Sequence, residues 1–306
     1  MRAQVTIALL LSLGFAGVAR GIDGVIEINQ ARALAGGVTN DDDPGFPVSL
    51  SQAGSYRLTS DLTLPDGSTN GIIIGDSFVQ IDLNGFAVRG PNTWAGGAAS
   101  CSAGGNGRGI YSPSANNAVV SNGGVFGAGG SGIALYGRGN RVERVITEQN
   151  CGVGVDLGEA SMIIDAIARR NYTSGFSMAQ NGRVSGSIAD ANGSYGIFPY
   201  YGYTSIERCV VTGNTKGGIN AGPSTLVRHS QVNNNGGNAI YATAGSLVLD
   251  NAINGHPNTA ILGASPQLAQ VGTGGNVVSY GAGGSGFFYL VHLYCDLENG
   301  AKLCAP

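Results

Sequence analysis

Residues 141–204 read RVERVITEQNCGVGVDLGEAS (141–161), MIIDAIARRNYTSGFSMAQNG (162–182) and RVSGSIADANGSYGIFPYYGYT (183–204). The three lines are copies of one another. In each, an Asn (Asn150, Asn171, Asn192) is followed four residues later by Gly and then by an apolar residue (Val155, Phe176, Ile197). The pattern continues at Asn214/Gly218-Ile219 and Asn235/Ala239-Ile240, and a sixth copy keeps Ala260-Ile261 with His256 in the Asn place. A period of 21 or 22 residues held from Arg141 to about Ser265 is the mark of a repeat architecture and takes precedence over any local reading.

The copies begin at residues 141, 162, 183, 205, 226 and 247, and their columns are apolar and mostly β-branched. The second column is Val142, Ile163, Val184, Ile206, Val227 and Val248. The seventh is Thr147, Ala168, Ala189, Val211, Val232 and Ile253, with Thr147 the one polar member. No window carries apolar residues at i, i+3, i+4 and i+7 for long enough to make a helix. Each copy instead offers two or three short strands between Gly- and Asn-rich bends. One copy cannot bury its apolar side, but stacked copies can if each winds once about a common axis. Chain direction then repeats, the sheets are parallel, and the rungs sit about 4.8 Å apart. The Gly four residues after the Asn suits a sharp turn. The Asn suits a bend where its amide bonds backbone and the amides of neighbouring rungs bond one another.

These residues resemble a right-handed parallel β-helix of the pectin-lyase-like superfamily, especially secreted bacterial proteins built of N-x-x-x-G-I rungs. DLNGF (82–86) and NGGVFG (122–127) resemble early rungs of that family, and the resemblance spans about residues 70–265. It implies an all-β, single-stranded solenoid of roughly nine rungs. The superfamily includes lyases, hydrolases, epimerases, tailspikes and adhesins, so the fold alone does not carry an activity.

The chain divides on this reading into a signal peptide (1–19), an N-terminal cap (20–67), the β-helix (68–265) and a C-terminal cap (266–306). The first segment has Arg2, an apolar run from Val5 to Leu13 and a small-residue site at Gly17-Val18-Ala19, the three parts of a secretory signal. Secretion or a periplasmic location follows. The N-terminal cap holds a short helical piece within Glu27–Ala35. The C-terminal cap contains GFFYLVHLYC (286–295), the most apolar stretch of the mature chain. Residues 90–108 look like a loop inserted in one rung, carrying Trp94 and Cys101. Gly makes up 53 of 306 residues without a collagen period, and the net charge is −3 without a basic face. Nucleic-acid binding is excluded by that charge pattern, and no later run reaches membrane-spanning length. Of five cysteines, Cys295 and Cys304 bracket a short loop and are the expected disulfide. Cys209 falls on a core-like column, and spacing leaves the pairing of Cys101, Cys151 and Cys209 open. No spacing suggests a metal site, and nothing requires a cofactor.

Chemistry has two candidate locations. Glu148, Arg169 and Asp190 share one column on successive rungs. Elimination from a uronic acid needs a cation to neutralise the carboxylate and a base to take the α-proton, and this trio supplies both. The plainer reading is a solvent-facing ladder of alternating charge, stabilising by ~0.2–1 kcal/mol per pair. The second location is IFPYYGY (197–203), where Phe198, Tyr200, Tyr201 and Tyr203 could stack on sugars or on each other. The hydrolase and pectate lyase motifs of the superfamily are absent. Two functions follow. The first is an exported protein that associates with extracellular or cell-envelope polysaccharide, with a lyase or epimerase as its enzymatic form. The second is a non-catalytic structural or adhesin module.

Overall fold

The structure, a computed structural model, describes residues 24–93, 101, 102, 104–258, 261–263, 272–274 and 276–279. The expected signal peptide, Trp94, the apolar stretch 286–295 and the Cys295–Cys304 pair lie outside them.

The chain is a β-solenoid of about nine turns with parallel sheets and almost no helix. Two sheets form its walls. One has ten strands, a single strand from each turn, running from Val48–Leu50 through Ile110–Ser112, Ile133–Leu135, Val155–Leu157, Phe176–Met178 and Tyr195–Pro199 to Ile261–Gly263. The other has nineteen strands, because most turns give it two consecutive strands across a sharp corner. Register is set by the repeat itself. Val155 pairs with Phe176 and Phe176 with Ile197, while Val142 pairs with Ile163 and Ile163 with Val184.

The apolar columns stack inside the coil. Val142, Ile163, Val184, Ile206, Val227 and Val248 are all fully buried. Each such side chain contributes about 1.5–3 kcal/mol of burial, and neighbours one rung away complete the enclosure. Thr147 is buried in the same interior, and its Oγ1 donates to the Ile167 carbonyl at 3.5 Å. That bond removes the cost of an unpaired hydroxyl inside an apolar column.

The Asn column forms a ladder. Asn150 Nδ2 donates to Asn171 Oδ1 at 2.9 Å, and the bond recurs from Asn171 to Asn192, Asn192 to Asn214 and Asn214 to Asn235. Each Oδ1 also accepts the preceding Asn backbone N–H, as in Asn192 N to Asn214 Oδ1 at 3.0 Å. The second amide proton reaches a carbonyl of the previous rung, such as Ala168 O from Asn192 at 3.0 Å. A corner that strand pairing alone would leave unpaired is thereby satisfied in the interior. His256 ends the ladder with Nε2 on the Val232 carbonyl at 2.8 Å. A carbonyl only accepts, so Nε2 carries the proton, and burial pushes the imidazole pKa down toward the neutral form.

The glycines after the ladder have a different cause from the expected turn. Gly154, Gly175, Gly196 and Gly218 do not adopt left-handed φ. A Cβ on Gly196 would stand 2.3 Å from Val211 Cγ1 and 2.7 Å from Asn214 Nδ2. The residue is Gly because the next rung's Asn and core side chain occupy that space. The left-handed corners fall elsewhere, at Arg144, Asp165, Arg208, His229 and Asp250, whose φ lies between 50° and 53°. There the corner N–H bonds the next rung, as from Asp165 to the Ser185 carbonyl at 3.0 Å, which helps offset the strain of that conformation.

The coil extends beyond the expected repeat limits. Val25–Ile28 already pairs in parallel with Ser55–Leu58, and Gly272–Gly274 pairs with Leu247–Leu249. The helix within 27–35 is Gln30–Ala35, capped by Asn29, with Ala33 buried in the core. Asp42, one of the three consecutive acids, accepts from the Val38 and Ser49 backbone N–H groups. It is therefore the hinge pin of a loop.

Candidate functional site

The outer face of the ten-stranded sheet carries a buried acid beside aromatic residues. Its central outward column passes through Tyr111, Ala134, Asp156, Ser177 and Phe198. Asp156 is the only acid in that column, and it is 7 % exposed. The column two residues further along each strand reads Tyr136, Gly158, Ala179 and Tyr200. Two tyrosines thus stand on either side of two small residues, Gly158 and Ala179. Gly158 is required there, because a Cβ would meet the Gly137 carbonyl at 2.1 Å.

Asp156 lies at the centre of a hydroxyl and guanidinium cluster. Burial raises its pKa from 3.8 to about 6, against the opposing pull of Tyr136, Arg108 and Tyr200. The Tyr136 and Tyr200 hydroxyls lie close enough to the carboxyl group to favour its ionised form, and their own pKa values are raised by burial and by the Asp156 charge. At neutral pH the cluster therefore holds an ionised carboxylate between two protonated phenols. The Ser177 hydroxyl is buried on the next strand, without a hydrogen bond of good geometry among the described residues, yet within reach of Tyr200.

Arg108 packs on the tyrosines of these two columns. Its guanidinium lies 4.4 Å from the Tyr111 ring centroid and 5.8 Å from that of Tyr136. Its backbone is fixed by Asn70, whose Oδ1 accepts the Arg108 N–H at 2.8 Å. It forms no salt bridge among the described residues. Farther along, Tyr195, Phe198, Tyr200 and Tyr201 make a run of ring contacts at 5.6, 5.0 and 6.4 Å between successive centroids. Three of the four aromatic residues expected to bind sugar, Phe198, Tyr200 and Tyr201, are thus together. Tyr203 sits at an exposed left-handed corner outside that run.

The expected Glu148–Arg169–Asp190 row lies on the nineteen-stranded sheet, in register across three rungs. Glu148 is held by Arg169 at 2.8 Å and by Arg170 at 3.0 Å. A similar cluster surrounds Glu207, bound by Arg228 at 3.1 Å and Arg183 at 3.5 Å. A hydrogen bond from Ser205 and the arginine charges hold the Glu207 carboxyl below its ordinary value. His229 and Asp250 are 3.6 Å apart and half exposed. Cys209 is buried, its thiol pushed up to about 11, so it is a core residue and no nucleophile. Cys101 and Cys151 form a disulfide that ties the inserted loop to the ladder rung. Asn171 and Asn192, which head glycosylation sequons, are fully buried ladder members. No group of described His, Cys, Asp or Glu residues is arranged to hold a metal, and no described helix is long and apolar enough to cross a membrane.

Asp156 and Arg108 escaped the sequence reading. Asp156 was visible as the sole acid in an outward column of the second strand, and Arg108 as the last residue of the insertion. Both signals depend on knowing which column faces solvent on which sheet.

Among solved structures, the chain is similar to the A-module of the mannuronan C-5 epimerase AlgE4 of Azotobacter vinelandii, at 14% identity and TM-score 0.56, covering 76% of this chain and 81% of that one. It is similar to the periplasmic alginate epimerase AlgG, at 11% identity and TM-score 0.59, covering 85% and 81%. It is also similar to the Dettilon tailspike protein, at 15% identity and TM-score 0.62, covering 76% of this chain and 54% of the tailspike. Identities this low establish a shared fold. No curated protein matches the chain in sequence. The model described as the right handed beta helix region matches residues 59–225, and the chain belongs to that right-handed β-helix family.

Proposed function

We propose that the chain binds an acidic, uronate-type polysaccharide along the outer face of its ten-stranded sheet and exchanges the proton α to the sugar carboxylate. The observation that carries this reading is Asp156. It is a nearly buried carboxyl with a pKa of about 6, flanked by two tyrosines and an arginine that forms no salt bridge among the described residues. Arg108 neutralises the uronate carboxylate, which lets the electron pair released from the C–H bond delocalise into that group. Asp156, ionised at neutral pH, takes the proton. Its raised pKa makes it a stronger base than an exposed aspartate. A tyrosine hydroxyl then completes the reaction in one of two ways. Returning a proton to the opposite face of the carbon inverts it, an epimerisation. Protonating the departing glycosidic oxygen while the C–O bond breaks gives an unsaturated sugar, an elimination. Both are redox-neutral. The similarity in fold to alginate epimerases supports this substrate class, and the disulfide accords with an extracytoplasmic location.

The Glu148–Arg169–Asp190 row is the competing location. Its arginines are occupied by Glu148, so a uronate would have to displace an existing pair. A non-catalytic surface module is the competing function. The discriminating experiment follows solvent deuterium into uronate polymers by NMR, with absorbance of unsaturated product alongside. Incorporation or elimination by the wild type, lost in Asp156→Asn and unaffected by Arg169→Ala, is the expected result. Turnover that survives Asp156→Asn and vanishes with Arg169→Ala moves the site to the other sheet. No turnover and no binding of any acidic polymer leaves the structural module.

A further inference from the structure

Nearly every described arginine is spoken for. Arg57, Arg89, Arg138, Arg141, Arg144, Arg169, Arg170, Arg183, Arg208 and Arg228 each form a salt bridge with a carboxylate. Arg32 instead donates to the backbone carbonyls of Glu27 and Gly37. Two cations remain without a salt bridge among the described residues, Arg108, whose charge reaches Asp156, and Lys216. Both lie on the ten-stranded face, and both rest on tyrosine rings. The Lys216 ammonium is 5.1 Å from the Tyr195 centroid, and Tyr195 opens the aromatic run that leads through Phe198 to Tyr200. A lysine ammonium over an aromatic face is exposed yet directionally held, an arrangement suited to an anion arriving from solvent.

We infer that Lys216, with the Tyr195 and Phe198 rings, forms a second anionic-sugar subsite, so that the site spans several residues of an acidic polysaccharide. The inference rests on the function proposed above and adds its length requirement. The spacing follows from the register. Val155 pairs with Phe176, Phe176 with Ile197 and Ile197 with Ile219, which puts Lys216 three rungs beyond Asp156. At about 4.8 Å per rung that is ~14 Å. A pyranose repeat is close to one rung, and Lys216 also stands four residues before Asn220, the member of the Asp156 column in its rung, so a sugar held at Asp156 and a carboxylate held at Lys216 are at least three residues apart. Between them in the Asp156 column lie Ser177 and Phe198, whose ring contacts Tyr195 and Tyr200. On the other side Arg108 and Tyr111 lie two rungs before Asp156. The polymer therefore runs along the coil axis, with the reacting residue nearer the Arg108 end.

The test measures dissociation constants for a length series of oligouronates by calorimetry. The wild type is expected to gain affinity in a step once the oligomer exceeds about four residues. Lys216→Gln should remove that step, weakening long oligomers about fivefold while leaving short ones unchanged, and Lys216→Arg should restore it. Lys216 is exposed, so neither variant threatens the fold. Equal loss at every length, or no loss, overturns the subsite while the Asp156 site stands. Failure of the wild type to bind any oligouronate overturns the proposed function and this inference together.

Discussion

Replacing Asp156 by Asn should change how stability depends on pH, by an amount the structure sets. The Asp156 carboxyl titrates at 3.8 in an unfolded chain and at about 6 in the folded one. The folded state therefore holds this proton more tightly. The associated stability is fully present below the unfolded value and is lost as pH rises through the folded value. One pH unit of difference corresponds to about 1.4 kcal/mol, so ~3 kcal/mol of stability disappears between about pH 4 and 6. Asn is neutral throughout and carries no such loss. Other groups, such as Glu207 and Asp61, have lowered pKa values and contribute stability that is lost as pH falls. They are common to both proteins and cancel in the comparison. The assay is denaturant unfolding of wild type and Asp156→Asn at a series of pH values from about 4 to 8. The variant should gain ~3 kcal/mol relative to wild type across that range, with the change centred in the acid half. Proton exchange on a uronate polymer should rise in wild type as pH passes through about 6, where the folded carboxylate forms. A wild-type-minus-variant difference that stays constant with pH would refute the assignment of a raised pKa, and with it the reason for naming Asp156 as the base.

Three further outcomes follow from the packing. Asn192→Ala removes the acceptor of the Asn171 backbone and side-chain N–H groups and a donor to Ala168 O, and leaving such buried groups unpaired should cost at least ~3 kcal/mol in denaturant unfolding. Gly196→Ala forces a Cβ against Val211 and the tethered Asn214 amide, and should cost about 1–3 kcal/mol, although alanine ordinarily stabilises a position where glycine is not conformationally needed. Cys151→Ser opens a disulfide that closes a loop of sequence separation 50, and on the chain-entropy account should lower stability by about 4 kcal/mol, read as a lower unfolding midpoint that added reductant no longer changes.

The repeat made the architecture legible because its columns obey translation. Once Asn150, Asn171 and Asn192 are equivalent, the burial of Ile163 implies that of Val184, and one ladder bond implies the next. The glycine column was legible as a constraint and misread as a turn. The column, with Gly in most copies and Ala239 and Ala260 in the last two, shows a demand for a small residue but not whether a dihedral or a neighbour imposes it, and at Gly196 Val211 and Asn214 do. The candidate site was half legible. Phe198, Tyr200 and Tyr201 stood out as an aromatic concentration, whereas Asp156 is chemically ordinary until its solvent is removed. That loss of solvent comes from Tyr136 and Tyr200, 20 residues before and 44 after it in the chain, which meet only through the stacking. Glu148 and Arg169 were adjacent as read from the columns. Their adjacency turned out to neutralise them, because Arg170 reaches the same carboxylate. The Cys101–Cys151 bond was not legible, since an insertion has no column from which to read its partner.

The Asn ladder has a direction. Every side-chain amide from Asn150 to Asn214 donates toward the C-terminal neighbour, and each from Asn171 onward also accepts from the N-terminal one. Their dipoles therefore point the same way along the axis. A file of aligned amides polarises each member, so every bond is strengthened by those above and below it. The rungs are consequently unequal although their sequences repeat, because a central member such as Asn192 has polarised neighbours on both sides and Asn235 has them on one. Damage at the centre divides one long polarised file into two short ones. Damage at the His256 end merely shortens it. Equivalent substitutions along the column should thus rank by position, which a set of independent hydrogen bonds would not do.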